Sequence, residues 1–350
     1  MALPSTSSDR IAIRTTDLRK EFRRKVRPPG LRGLITSMTG GGSVETKLAV
    51  RGLNLVVERG ERIAFIGPNG SGKSTTIKML TGILHPSGGD AEVLGLNPWR
   101  QRRELAYHIG SVFGQKSQLW FHLPPVETYY LLKKIYELDE AFYRDRLAAL
   151  VESFGIAEYL HTPVRKLSLG ERMRCEVVAS LLHQPSLLLL DEPTIGLDVI
   201  AKGKLREHIR KANREEGTTI FITSHDAGDV ETLAERVVVI AEGTVIFDGP
   251  VDELRRKFLT TKRLEVTLAE PLADPGAIAR AEGPWRLISA DEFAIRLDLD
   301  ETRPGATREA IAFLTDHYNV EDITITVPPL EEVIRTIYEA EGTARAIRDS

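Results

Sequence analysis

At 350 residues, with 42% apolar and 28% charged side chains, the chain has room for one large folded domain or two unequal ones, and its composition excludes the fibrous and disordered classes. Forty-seven basic residues against fifty acidic ones give a net charge of -3, which argues against nucleic acid as a partner. The longest run free of Asp, Glu, Lys and Arg, Val177 to Leu190, falls short of the roughly twenty residues a spanning helix needs; MALPSTSSDR has no basic or apolar leader region, and a lone Cys175 suits a reducing compartment, so a cytoplasmic protein is expected.

From residue 11 to 66 short apolar runs alternate with polar breaks (IAIRTTDL, KLAVRGLNLVVERGE, RIAFIG), the period-two pattern of half-buried strands ending in one buried strand, Ile63 to Ile66. Between about Arg100 and Gln184 the spacing turns helical, as in ETYYLLKKIYEL and RDRLAALVESFG. Strands then return as SLLLLDEP, TTIFITSH and VVVIAEGTVIFDG, separated by helical stretches, which predicts an α/β core around a mostly parallel sheet. Past Lys262 the order is strand, helix, two strands, helix, strand, the βαββαβ succession of a ferredoxin-like α+β domain.

Two motifs carry chemistry on their own residues. GPNGSGKST fits the phosphate-binding P-loop and comprises Gly67, Pro68, Asn69, Gly70, Ser71, Gly72, Lys73, Ser74 and Thr75; it follows a strand and opens a helix. Its glycines let backbone amides turn onto phosphates, Lys73 adds a point charge at the β and γ phosphates, and the Ser74 hydroxyl can ligate Mg²⁺. The second is the apolar strand Leu187 to Leu190, which delivers Asp191 and Glu192 at its C-terminal end. Adjacent acids on an extended segment point to opposite sides. Asp191 can therefore serve the Mg²⁺ shell while Glu192 acts as general base on a water.

With LSLGE at Leu167 to Glu171, Gln115 between the P-loop and the acidic pair, GLD at Gly196 to Asp198, and His225 after TIFITS, the chain resembles the ATP-binding subunits of ABC transporters over about residues 11 to 250. The resemblance implies a P-loop NTPase fold with an antiparallel β-subdomain and a helical subdomain over 116–184, an ATP-binding domain over 11–255, and an accessory ferredoxin-like domain over 262–350. It implies ATP and Mg²⁺ as cofactors and ATP hydrolysis as the reaction. Gln115 is then a metal and water sensor and His225 a γ-phosphate contact. Ser168, Leu169, Gly170, Glu171 and Asp198 would act in trans on the nucleotide of a second copy, which calls for a homodimer. Phe22 matches the aromatic that stacks on adenine, or it faces the core. Residues 23–46 form an insertion in a basic stretch, Arg10 to Arg32, suited to an anionic membrane surface or to solvent. Trp120 and Phe121 suit a docking groove for a membrane subunit, or pack within the helical subdomain.

TIGLD and VPPLEEVI place the resemblance among ATPases of ABC-2 type exporters, the group of drug and daunorubicin-resistance exporters. Two separate ABC-2 type permease subunits would then supply the pore, with this chain peripheral on the cytoplasmic face of the cell membrane. An importer ATPase would typically carry a β-barrel extension in place of the βαββαβ unit. A non-transport ABC ATPase would usually have a long coiled-coil insertion or two nucleotide domains, whereas 52 residues lie between Gln115 and Ser168 and there is one P-loop.

Overall fold

The structure, a computed structural model, describes residues 10–26, 43–114, 117–224, 226–258, 261–272, 274–300 and 302–326, with Leu330, Glu332 and Ile337. It divides into two compact units, Met1–Val251 and Asp252–Ser350.

The first unit opens with β1 (Ile11–Val26) and β2 (Ser43–Glu58), which pair antiparallel; β3 (Arg62–Ile66) and α1 (Lys73–Leu80) follow, and β4 (Gly88–Val93) returns to the other edge of β1. The expected alternation holds in β2, where Leu53, Leu55 and Val57 are buried between exposed Asn54 and Val56. The stretch expected as an insertion, 23–46, is strand at both ends: Arg23 pairs with Thr46, Arg24 with Glu45, Lys25 with Val44 and Val26 with Ser43. Backbone ladder pairing prolongs the hairpin through a mostly polar sequence (RRKV and SVET), so hydropathy left this extension unmarked. Residues 27–42 lie outside the described residues.

Next come α2 (Arg102–Ala106), β5 (Ile109–Phe113), α3 (Pro125–Ile135), α4 (Glu140–Phe154), α5 (Leu169–Leu181), β6 (Leu187–Asp191), α6 (Val199–Glu216), β7 (Thr219–Thr223), α7 (Ala227–Leu233), β8 (Arg236–Ala241) and β9 (Thr244–Pro250). Their strands join β3 in a six-stranded sheet of order β5-β6-β7-β3-β8-β9, parallel except for β9. β5 is a departure from the helical pattern expected across 100–184. It survives as a strand because Gly110 lets the chain close on the next layer, where a Cβ would stand 2.4 Å from the Ser180 carbonyl oxygen. β6 and β7 read as unbroken apolar runs because both faces are covered, and Leu187 to Leu190 and Ile220 to Ile222 are fully buried.

Across the division runs α8 (Val251–Phe258). The second unit holds β10 (Thr261–Leu268), α9 (Pro275–Arg280), β11 (Trp285–Ala290), β12 (Ala294–Asp300), α10 (Ala306–His317) and β13 (Val320–Thr326), an antiparallel sheet of order β11-β12-β10-β13. This is the ferredoxin-like arrangement. Alternate residues of β10 and β12 (Leu264, Val266, Ile295, Leu297, Leu299) meet Ile278, Ala310 and Leu314 of the helices in a core of its own. Among the described residues no helix is long and apolar enough to cross a membrane.

Candidate functional site

Buried β3 ends at Ile66, and the loop Gly67 to Gly72 must turn at once without side-chain room. A Cβ on Gly67 would sit 2.3 Å from the Ile240 carbonyl oxygen, and Gly72 combines φ +111° with 2.4 Å from the Ala49 oxygen, so any other residue would strain this turn. Gly72 caps α1 with no side-chain bond to the helix. The first-turn amides are thus left for a ligand, at the positive end of the helix dipole. Lys73 folds back over the loop: its Nζ donates to the oxygens of Gly67 (2.6 Å) and Pro68 (3.3 Å) and stands 3.9 Å from Glu192 Oε1. Burial pulls the ammonium below the usual lysine range, and the nearby carboxylates of Glu192 and Asp191 oppose that shift.

β6 brings the acids to the same place. Ser74 Oγ donates to Asp191 Oδ1 at 3.1 Å, and Thr223 Oγ1, at the end of β7, donates to the same oxygen at 2.6 Å. Simple strand alternation does not separate the two acids, as the sequence suggested. Asp191 is the last strand residue, and Glu192 already has φ +55°, a left-handed turn unusual for a non-glycine. The Glu192 amide donates to the Thr223 carbonyl oxygen (3.0 Å) and hydroxyl (3.2 Å).

Phe22, Asn69, Gly70, Gly72, Lys73, Ser74, Thr75, Asp191 and Glu192 line one cleft of about 580 Å³. That volume suits a nucleotide-sized ligand. Phe22 sits at its mouth, 42% exposed rather than core-facing, with Lys20 Nζ 5.4 Å from the ring centroid. Lys47, paired with Phe22 across the hairpin, also lines the cleft, and its Nζ lies 4.0 Å from where a Cβ on Gly70 would be. Sequence reasoning missed Lys47 and Thr223. Neither belongs to a short motif; hairpin and sheet register alone bring them in.

Ser168 to Glu171 and Asp198 form a second group outside the cleft lining. Ser168 caps α5 with a reciprocal capping box, its Oγ accepting from the Glu171 amide (3.3 Å) while its own amide donates to Glu171 Oε2 (2.8 Å). Asp198 caps α6 through the Ala201 amide at 2.8 Å. Leu169 lies against Gly196, and Gly170 faces Ala201, so this segment and the Gly196 to Asp198 turn are packed together. Gln115 and His225 lie outside the described residues. Their neighbours are held firmly: the Gly114 amide donates to the Asp191 backbone carbonyl oxygen at 2.9 Å, and Ser224 donates to buried Asp229, which also takes Thr194 Oγ1 and Arg206 Nε.

Comparison with known proteins places this geometry. Residues 50–195 match the family described as "ABC transporter". The chain is 33% identical to the ABC transporter ATP-binding protein NatA of Bacillus subtilis, a match covering 59% of this chain and 83% of that one. It is also 33% identical to the daunorubicin/doxorubicin resistance ATP-binding protein DrrA of Streptomyces peucetius, covering 81% and 86%. A solved ATP-binding subunit of an ABC transporter superposes with a TM-score of 0.58 at 26% identity, covering 71% of this chain and 93% of that one. A dimeric ATP-binding cassette with bound ADP and phosphate gives 0.57 at 22% identity, covering 68% and 98%, a likeness of fold. The converging P-loop and carboxylates and these likenesses together establish that the chain belongs to the ATP-binding proteins of ABC transporters.

Proposed function

We propose that this chain is the ATP-hydrolysing subunit of an ABC-2 type exporter, acting as a homodimer with two membrane permease subunits on the cytoplasmic face of the membrane. The observation that carries the hydrolytic part is the meeting of Lys73, Ser74, Asp191 and Glu192 in one cleft. The exporter part draws on relatives named for bacitracin transport and daunorubicin resistance. The βαββαβ second unit also supports it, standing where an importer ATPase would typically carry a β-barrel.

The α1 amides and the Lys73 ammonium face the β and γ phosphates, and Phe22 offers its ring to the adenine. Ser74 Oγ and Asp191 Oδ1 are oxygen donors 3.1 Å apart, matching the edge of about 3 Å of an octahedral Mg²⁺ shell, so they fit that ion. Gln115 would join them. Mg²⁺, when bound, neutralises charge across the β and γ phosphates. Glu192 accepts the proton of a water in line with the γ phosphate, and His225 contacts that phosphate. Ser168 to Glu171 and Asp198 of one copy close on the nucleotide of the other.

Glu192→Gln tests this reading. The amide keeps the reach of the carboxylate but cannot take the proton, so the variant should bind ATP and accumulate as a dimer in size-exclusion chromatography with ATP and Mg²⁺. A monomer, or turnover at the parent rate, overturns the assignment. Lys73→Ala should lose ATP binding altogether. Two permease genes beside this one would support the exporter reading; a neighbourhood without permeases would count against it.

A further inference from the structure

We propose that Thr223 is a positioning residue of the ATPase site, one hydroxyl that orients the Asp191 carboxylate and the Glu192 backbone together; this rests on the roles proposed above for those two acids. Thr223 ends β7, is fully buried, and is the register partner of Asp191 in the parallel β6–β7 pair, so its side chain stands beside the point where β6 stops. Hydrogen-bond directions are settled by the partners. An ionised carboxylate can only accept and an amide can only donate, so the single hydroxyl proton goes to Asp191 Oδ1 (2.6 Å) and the oxygen lone pair receives the Glu192 amide (3.2 Å).

Each bond has a separate consequence. Asp191 Oδ1 also takes the Ser74 hydroxyl. Once Ser74 turns its oxygen to a cation its proton must point elsewhere, and Thr223 still fixes the rotamer of Asp191. The Glu192 amide is shared between this hydroxyl (3.2 Å) and the Thr223 backbone carbonyl oxygen (3.0 Å), and together the two bonds hold the residue at φ +55°, a conformation uncommon for a non-glycine, with Glu192 lining the cleft. A buried hydroxyl bridging two acids with different tasks thus ties metal orientation to base orientation.

The test measures binding of adenylyl imidodiphosphate to the full chain, in EDTA and in Mg²⁺, for the parent, Thr223→Val, Thr223→Ser and Thr223→Cys, together with ATP turnover. Valine removes the hydroxyl at nearly constant volume. Its affinity in EDTA should equal that of the parent, while the affinity gained on adding Mg²⁺ should shrink by roughly five- to thirtyfold and kcat should fall. Serine should restore both. Should valine fail to fold, cysteine, similar in size and a weaker donor, takes its place with the same expectation. A valine or cysteine variant with the full Mg²⁺ gain and parent kcat overturns the proposal, as does a serine variant that behaves like valine, since the methyl and not the hydroxyl would then matter. A parent chain without Mg²⁺-dependent binding overturns the ATPase reading itself, and the proposal with it.

Discussion

Lys73 and Lys47 are both cations of the cleft, yet their environments give them different weights. Lys73 is 5% exposed and tied to the loop it serves, so its loss removes both a charge and a strut. Lys47 is exposed on a hairpin edge, in water, where a single charge contact contributes up to about 1 kcal/mol. Lys47→Ala should therefore weaken ATP binding by roughly two- to fivefold, and the difference should fade as salt rises. Nucleotide titrations at low and high ionic strength check this, and an equal loss at both would show that Lys47 acts through packing. His183 makes a pH prediction. Its ring stacks on Tyr136 at 3.9 Å and Nε2 donates to the Ile109 carbonyl oxygen at 3.0 Å, while burial pushes its pKa down to about 4. The unfolded imidazole takes its proton near 6.5, so between these values the unfolded chain binds the extra proton. The contribution of His183 is therefore complete above pH 6.5 and is lost as pH falls to about 4, an effect of at most about 3 kcal/mol. Melting temperatures across that window should drop more steeply for the parent than for His183→Asn.

Helix ends do much of the positioning. Ser168 and Asp198 are N-caps, and in each case the segment implied to act in trans is the turn that starts a helix, where backbone amides already face outward. α5 is also joined to the segment that follows Gln115. Glu176, 4% exposed, accepts from the Ser117 hydroxyl and, at 3.1 Å, from the Gln118 amide, while Gln118 Nε2 donates back to the Glu176 carbonyl oxygen at 3.0 Å. Glu176→Ala would remove the acceptor shared by these two donors and should lower stability by about 1 to 3 kcal/mol, read as a shift in denaturant midpoint. Because none of these groups lines the cleft, nucleotide affinity should be retained. Glu176→Gln, which keeps an acceptor, should lose less.

The two units have independent cores, one built on β3, β6 and α1 and the other on β10, β12, α9 and α10. Every residue lining the cleft lies in the first. Deleting residues 263–350 should leave nucleotide binding intact while weakening dimerisation or transport, and calorimetry of the full chain should resolve two transitions where the truncated chain shows one. Loss of ATP binding in a truncated chain that remains folded would refute this division.

What could be read from residues alone was whatever local spacing encodes. The P-loop, the acidic pair, the LSLGE segment and the βαββαβ order are short-range patterns, each dictated by a turn, a cap or a period. What depended on tertiary structure was everything set by register between distant strands. β6 and β7 lie side by side, so Thr223 meets Asp191 and Glu192 from more than thirty positions away. The hairpin crosses the cleft mouth and brings Lys47 beside Phe22. Strand β5 was hidden in a helical stretch because a glycine's value lies in the neighbour it lets approach, and that neighbour, Ser180, belongs to a helix far along the chain. Hydrophobic period is a property of one segment, whereas a hydrogen bond across a sheet belongs to two, and only the folded chain decides which two meet.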